Sequence, residues 1–290
     1  MITNKLPDNM SQPTLSVIIP TYNRSSFLAE AIASAKRQGL EAVEILVVDD
    51  GSNPEEEAKI KSIAEHAGAK LIRQEINYGV SAARNLGVQT SSGQYIILLD
   101  DDDWLADGFA AKAIGLFHSG DKVVMAKASL YGDEKRKKYY NFLQSRYHHQ
   151  GIDAYGYFLV YCPAIHCVVW KRSCFDDIRF DETLTYGEDR ELFLRLRKNA
   201  VQMRSVDLLG GYYRVSPEKK GRSASFVDYI LRDKLYHISR ERSYAYILKG
   251  YLLLEQGLWL KGLGQLTNSL AHPQILLQQF VLFFRFKLFR

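Results

Sequence analysis

The chain has 290 residues, 47% hydrophobic and 24% charged, which is enough apolar material for a large core and excludes a disordered or fibrous protein. Its net charge of +5 is modest and dispersed, apart from basic clusters at Lys135 to Lys138 and at Arg285, Lys287 and Arg290, and gives no reason to expect a nucleic-acid partner. The three cysteines, Cys162, Cys167 and Cys174, are odd in number and lack metal-ligand spacing, so buried thiols in a reducing compartment are expected rather than disulfides or zinc.

Residues 1–13 are polar, lack an apolar signal core and read as a flexible arm on a cytoplasmic chain. Leu15 to Pro20 is a short β-rich run, followed by Thr21-Tyr22-Asn23-Arg24 as a loop. Ser25 or Ser26 is placed to cap a helix running to about Gln38, with Phe27, Leu28, Ala31, Ile32 and Ala35 on one face. A second apolar strand, Val43 to Val48, leads into Asp49-Asp50-Gly51-Ser52, and Pro54 with three glutamates opens the next helix at its positive end. A third strand, Lys70 to Arg73, precedes Asn77-Tyr78-Gly79 and a small-residue helix from Ser81 to Leu86. Then comes Tyr95 to Leu99, an unbroken apolar run that reads as a buried strand and breaks into Asp100-Asp101-Asp102-Asp103. Strand-helix alternation at this spacing predicts an α/β fold with a mostly parallel, Rossmann-like sheet covered by helices on both faces.

The second half is less regular. Lys122 to Leu130 and Ala164 to Trp170 read as strands, and Glu188 and Asp189 begin a helix with Leu192, Phe193 and Leu196 inward. Leu208 to Val215 is a further strand, and Ser216 to Ser225 a basic loop with Lys219, Lys220 and Arg222. From about Phe226 the pattern is helical, with spacings over Gly250 to Pro273 near those of a tetratricopeptide-type hairpin. The last stretch, 275–290, is rich in Leu, Phe and Val and carries Arg285, Lys287 and Arg290. It is too broken to span a bilayer, and two placements stand open: a last core helix, or a peripheral contact with anionic lipid on the inner face of the membrane.

Four adjacent carboxylates repel one another unless something positive sits among them. At a strand end, Asp100 and Asp102 would share a face and leave room for a hard divalent cation and the phosphate oxygens that it bridges. The plain alternative is a solvated acidic turn, but ligands of open α/β sheets lie just beyond the carboxyl ends of the strands. Asp49 or Asp50 can accept hydrogen bonds from a base or a ribose hydroxyl, or cap the helix that follows. Arg84 can reach a diphosphate or the acidic loop, and Tyr22 can cover a base. Glu188-Asp189 can supply a general base from a segment separate from the acidic loop, although acids at a helix start also serve the dipole. His166, His148 and His149 read as packing or surface residues.

Taken together, Pro20-Thr21-Tyr22-Asn23, Val47-Val48-Asp49-Asp50-Gly51-Ser52, Asn77-Tyr78-Gly79 with Ala83-Arg84-Asn85, Gly93 to Asp103, and Gly187-Glu188-Asp189 resemble the family-2 glycosyltransferases in order and spacing over residues 15 to about 225. The resemblance implies a GT-A catalytic domain over 14–225, with a nucleotide-binding half to 103 and an acceptor half beyond, followed by a helical extension over 226–290. It implies a nucleotide-diphosphate sugar donor, with UDP the expected nucleotide, a Mg²⁺ or Mn²⁺ ion, and inverting transfer. The acceptor would be a glycan or lipid-linked glycan of a bacterial cell surface, such as lipopolysaccharide or capsule. Carried over position by position, Pro20, Thr21, Tyr22, Asn23, Asp49, Asp50, Arg84, Asp100 and Asp101 fall among the donor-binding residues, Asp102 at the metal and Asp189 at the base. Relatives often carry a histidine after the Tyr213-Arg214 pair, where this chain has Val215. Arg214, Lys219, Lys220 or Arg222, in a loop closing over the donor, is the expected substitute.

A phosphatase of the haloacid dehalogenase type also puts acids after an apolar strand, but it needs Thr or Val where this chain has Trp104. A binding module without turnover keeps every motif named above. A dinucleotide-dependent dehydrogenase would need Gly-x-Gly-x-x-Gly after the first strand, and none is there.

Overall fold

The computed structural model describes residues 14–132, 162–184 and 187–215, with Lys137, Asn141 and Gln144 between them. Eight strands form one sheet: β1 (Leu15–Thr21), β2 (Val43–Asp49), β3 (Lys70–Arg73), β4 (Tyr95–Leu98), β5 (Trp104–Leu105), β6 (Val123–Tyr131), β7 (Val168–Lys171) and β8 (Met203–Arg214). Five α-helices accompany them among the described residues: α1 (Leu28–Lys36), α2 (Pro54–Ala67), α3 (Val80–Thr90), α4 (Phe109–Ile114) and α5 (Glu188–Lys198). The strand order is β3-β2-β1-β4-β7-β6-β8-β5. Strands β3, β2, β1 and β4 run parallel, β7 is antiparallel to both β4 and β6, and β8 runs parallel to β6.

The near-continuous apolar runs follow from burial of both faces of the parallel half. Val17, Ile19, Val47 and Ile97 pack with Leu28, Ala31, Ile32 and Ala35 of α1 and with Ile60 and Ala64 of α2. On the opposite face, α3 lies so close that a Cβ on Gly87 would meet the side chains of Ile18 and Val48. Local signals set the boundaries. The side chain of Asn53 caps α2 by accepting from the Glu55 and Glu56 amides, Pro54 occupies the first turn, and Gly68 closes the helix in the left-handed region.

Register places the functional positions. Thr21 of β1 pairs with Asp49 of β2, and Asp49 pairs with Arg73 of β3, so three polar residues stand in a row where the strands end. Beside them, the Leu99 amide donates to the Ile18 carbonyl at 2.9 Å, just before the four aspartates.

Several expectations shift. Neither Ser25 nor Ser26 caps α1, which starts at Leu28; the Ser25 amide instead donates to Glu56. Helix α3 runs four residues past Leu86, to Thr90. Residues 165–167 form a 3-10 turn rather than strand, and β8 begins at Met203, before the apolar run that signalled it. Arg222, the basic loop around it, the helical extension over 226–290 and most of 133–161 lie outside the described residues. Among the described residues, no helix is long and apolar enough to cross a membrane.

Candidate active site

The acidic loop is divided among three arginines and a histidine. Asp101 is 2% exposed, accepts from Thr21 Oγ1 at 2.7 Å and is paired with Arg24, which also reaches Asp102 Oδ2 at 3.1 Å. Arg84 turns the other way: Nη2 donates to Asp100 at 2.7 Å and Nη1 to Glu188 at 2.8 Å, with the guanidinium 5.3 Å from the Phe180 ring centre. Burial works against the charge on Arg84, but Asp100 and Glu188 outweigh it and raise its pKa. Burial also raises Glu188, against the pull of Arg84. It pushes the Asp101 carboxyl up to about 6 despite Arg24 and Thr21.

Arg214, at the end of β8, closes the far side. Its amide donates to Asp103 Oδ1 at 2.8 Å and its Nε to the Asp102 carbonyl at 3.0 Å, while Nη2 pairs with Glu30. The guanidinium lies 4.3 Å from the Phe27 ring centre, 4.8 Å from that of Trp104 and 5.6 Å from that of Tyr131. Beneath the loop, His166 is fully buried with Nδ1 3.2 Å from Asp103 Oδ2, within reach of charge attraction but without a hydrogen-bond alignment.

Asp100, Asp102 and Asp103 each offer one carboxylate oxygen, and these oxygens lie within 4.8 Å of one another. An all-oxygen, anionic set of this kind fits Mg²⁺ or Mn²⁺ and is too hard for a thiophilic metal. The strand-end argument pairs Asp100 with Asp102; the turn adds Asp103 and directs Asp101 toward Thr21 and Arg24.

The pair ending β2 is held differently. Asp49 is wholly buried, accepts from the Ser52 amide at 3.0 Å and is paired with Arg73. Asp50 accepts from the Tyr78 and Gly79 amides at 2.8 Å each, and burial raises its pKa. Gly51 is required between Asp50 and Ser52: its φ is +74°, and a Cβ there would stand 2.4 Å from the Ile76 carbonyl carbon. Pro20 is buried in β1. Asn23, with φ +49°, joins the two loops through its amide to Ser52 Oγ and through Oδ1, which accepts from the Asn53 amide. Tyr22, 46% exposed, stands at the rim.

Asp189 opens α5, where Gly187 takes a φ of +79° and Glu188 is tied by Arg84 to Asp100. One Asp189 oxygen accepts from the Arg190 amide at 2.6 Å and the other faces the Cys162 thiol at 3.6 Å. Burial, and then Asp189, push that thiol well above its usual pKa, which keeps it a neutral donor. The structure thus links Thr21, Asp100, Asp101, Asp102, Arg84, Glu188 and Arg214 through direct contacts, with Asp189 adjoining Glu188. It sets Asp49 and Asp50 behind the loops that they brace. Arg24, Asp103, His166 and Cys162 join the site without having been singled out. Of these, Asp103 alone carried a signal, as the last of the four aspartates after β4.

A mixed, mostly parallel sheet with an acidic turn at its centre and helices on both faces defines a GT-A, Rossmann-like transferase fold. The chain belongs to glycosyl transferase family 2, whose family model matches residues 16–179. Among curated proteins it is similar to an uncharacterized glycosyltransferase of Haemophilus influenzae, 35% identical over 99 residues that make up 34% of this chain and 40% of that one. It is also similar to the minor teichoic acid biosynthesis protein GgaB of Bacillus subtilis, 30% identical over 61% of this chain and 20% of that one. A third relative is the GalNAc(5)-diNAcBac-PP-undecaprenol beta-1,3-glucosyltransferase of Campylobacter jejuni, 26% identical over 64% of this chain and 60% of that one. The chain spans 40%, 20% and 60% of the lengths of these three relatives, less than two thirds of each. Among solved structures, S. aureus TarS 1-349 in complex with UDP-GlcNAc superposes with a TM-score of 0.62 at 17% identity, covering 88% of this chain and 81% of that one. The mannosyltransferase PcManGT from Pyrobaculum calidifontis, in complex with GDP-Man and Mn2+, gives 0.58 at 14% identity, covering 92% and 76%.

Proposed function

We propose that this chain moves a sugar from a nucleoside-diphosphate donor, a UDP-sugar, to a hydroxyl of a glycan or lipid-linked glycan with inversion, in the assembly of a cell-surface polysaccharide such as lipopolysaccharide or capsule. The observation that carries the reading is the unbroken run of contacts from Thr21 through Asp101, Arg24 and Asp102, and from Asp100 through Arg84 to Glu188, which brings the acidic loop and the start of α5 to one edge of the sheet. The teichoic acid and undecaprenol-linked relatives, and the UDP-GlcNAc and GDP-Man complexes of the structural neighbours, support the substrate classes.

Thr21, Tyr22 and Asn23 line the nucleoside end, with Pro20 setting the end of β1 and Asp50 holding the Tyr78-Gly79 turn across from them. Each Asp50 oxygen keeps a second lone pair for a base or ribose donor. Asp102, with Asp100 and Asp103, would hold a Mg²⁺ or Mn²⁺ ion, which would supply charge neutralisation for the departing diphosphate. Asp189 accepts the proton of the acceptor hydroxyl as that oxygen attacks the anomeric carbon opposite the leaving group, and no covalent intermediate forms. Arg84 keeps α5 in step with the acidic loop. In the same reading 14–225 is the catalytic domain and Arg222 contributes to the diphosphate site, while 275–290 either packs on that domain or contacts anionic lipid.

The test is to present the full chain with a panel of nucleotide sugars, with Mn²⁺ or Mg²⁺ and with a chelator. One UDP-sugar should turn over, and chelation should stop it. A Rossmann-like module that only binds is separated by Asp189→Asn, which should retain donor binding while lowering transfer by about 10²–10⁴-fold; unchanged transfer removes Asp189 from its role.

A further inference from the structure

The four aspartates and Glu188 bring five carboxylates into one turn and the helix start beside it, and two arginines answer that charge from different sides. Arg84 serves Asp100 and Glu188, and is only 4% exposed at its side chain. Arg24 serves Asp101 and Asp102, and differs: its side chain is 44% exposed while those of its two partners are 2% and 4% exposed. The guanidinium therefore lies over these acids from the solvent side, on a loop outside any helix or strand, between β1 and α1. It meets Asp102 Oδ2 at 3.1 Å, on the carboxylate that also belongs to the Asp100, Asp102 and Asp103 cluster. A dication bound there and the Arg24 guanidinium compete for one carboxylate, and they repel each other across a few ångströms.

We propose that Arg24 is a place-holder for the cation. It neutralises Asp101 and Asp102 while the site waits, and it is exchanged from Asp102 to the phosphate oxygens of a nucleoside diphosphate as the cation enters. Arg24 keeps its bond to Asp101 as the pivot of that exchange, with Thr21 fixing Asp101 from the other side at 2.7 Å. A guanidinium suits the transfer because its fork matches phosphate as well as carboxylate geometry. The exposed stem leaves it free to turn. Arg84, clamped between two carboxylates and covered by Phe180, has no such freedom. The inference rests on the acidic loop being the cation site, and it adds a residue whose effect on the cation and on the diphosphate has opposite sign.

The sign reversal makes the test. Mn²⁺ alone is titrated into the full chain by electron paramagnetic resonance, and UDP is titrated in saturating Mn²⁺ by calorimetry, for wild type, Arg24→Gln and Arg24→Lys. Arg24→Gln should bind Mn²⁺ alone about five- to tenfold more tightly, a modest gain because the guanidinium is partly solvated. It should bind UDP about tenfold more weakly. Arg24→Lys should keep both signs with smaller changes, and it carries the test if melting shows that the glutamine variant is misfolded. A purely structural Arg24 would weaken both ligands together, and that result overturns the proposal, as does Mn²⁺ binding in Arg24→Gln that is no tighter than in wild type. The Mn²⁺ arm uses no sugar donor, so it reads Arg24 independently of whether any donor turns over.

Discussion

Two acidic runs end the parallel strands on either side of β1, Asp49-Asp50 at β2 and Asp100 to Asp103 after β4, and the fold uses them in contrasting ways. The β2 pair is directed into the protein: Asp49 to Arg73 and the Ser52 amide, Asp50 to the Tyr78 and Gly79 amides. The β4 acids gather three carboxylate oxygens within 4.8 Å and balance them with arginines from other segments. Like residues at like strand ends therefore differ: one pair is tied into the loops around it, and the other run gathers its carboxylate oxygens together. On the β2 side the neighbouring strand contributes directly, since β3 offers Arg73 in register with Asp49.

The largest effect expected of this contrast is on chemistry. Asp102→Asn should leave the melting temperature near that of wild type and lower sugar transfer by about 10²–10³-fold, as loss of one preorganised electrostatic group does; assay and thermal melt together would decide it. Asp49→Ala should reverse the pattern. It removes a fully buried acceptor from the Ser52 amide and leaves Arg73 only Glu57 and the Ser52 carbonyl, costing about 1–3 kcal/mol in a urea melt. A stable Asp49→Ala that has lost donor binding would break the comparison. Asp50→Asn is intermediate: an amide cannot accept from both the Tyr78 and Gly79 amides without turning its own NH₂ toward one of them. About 1–2 kcal/mol of stability and part of the donor affinity should go together.

The smallest effect comes from the other end of the same sheet. Glu44 is desolvated, which alone would raise its pKa, but the Ser16 hydroxyl at 2.6 Å and the Ser92 amide at 2.8 Å hold it below the usual carboxylate value. A depressed pKa contributes stability that is present above the unfolded value of about 4.5 and is lost as pH falls through the lower folded value. Glu44→Gln should therefore cost about 1 kcal/mol at pH 7, and the gap to wild type should close in acid below pH ~4. A gap that persists there would point to packing rather than charge.

The parallel half was legible in the sequence because both faces of its strands are covered, which turns each strand into an unbroken apolar run ending in polar residues. The acidic turn was legible for the same reason. Arg24 was not, because a single cation after Asn23 looks like surface charge until the register of β1 against β4 brings residues 77 and 78 positions apart together. Cys162 and His166 depend on chain reversals among β6, β7 and β8, where pairing is mixed and bulged around Lys127 and the apolar pattern loses its period. His166 in particular reads as a core residue, and it is one, yet what it packs against is Asp103.

Arg214 is the last strand residue before a stretch of chain that continues for many residues, and its backbone and side chain both grip the aspartate turn. A disturbance at Arg214 therefore meets both the Asp103 carboxylate and the Asp102 carbonyl. Anyone trimming this protein to a minimal unit should cut beyond Arg214 with its aromatic clasp intact, since a cut that frays the clasp would loosen the turn from behind.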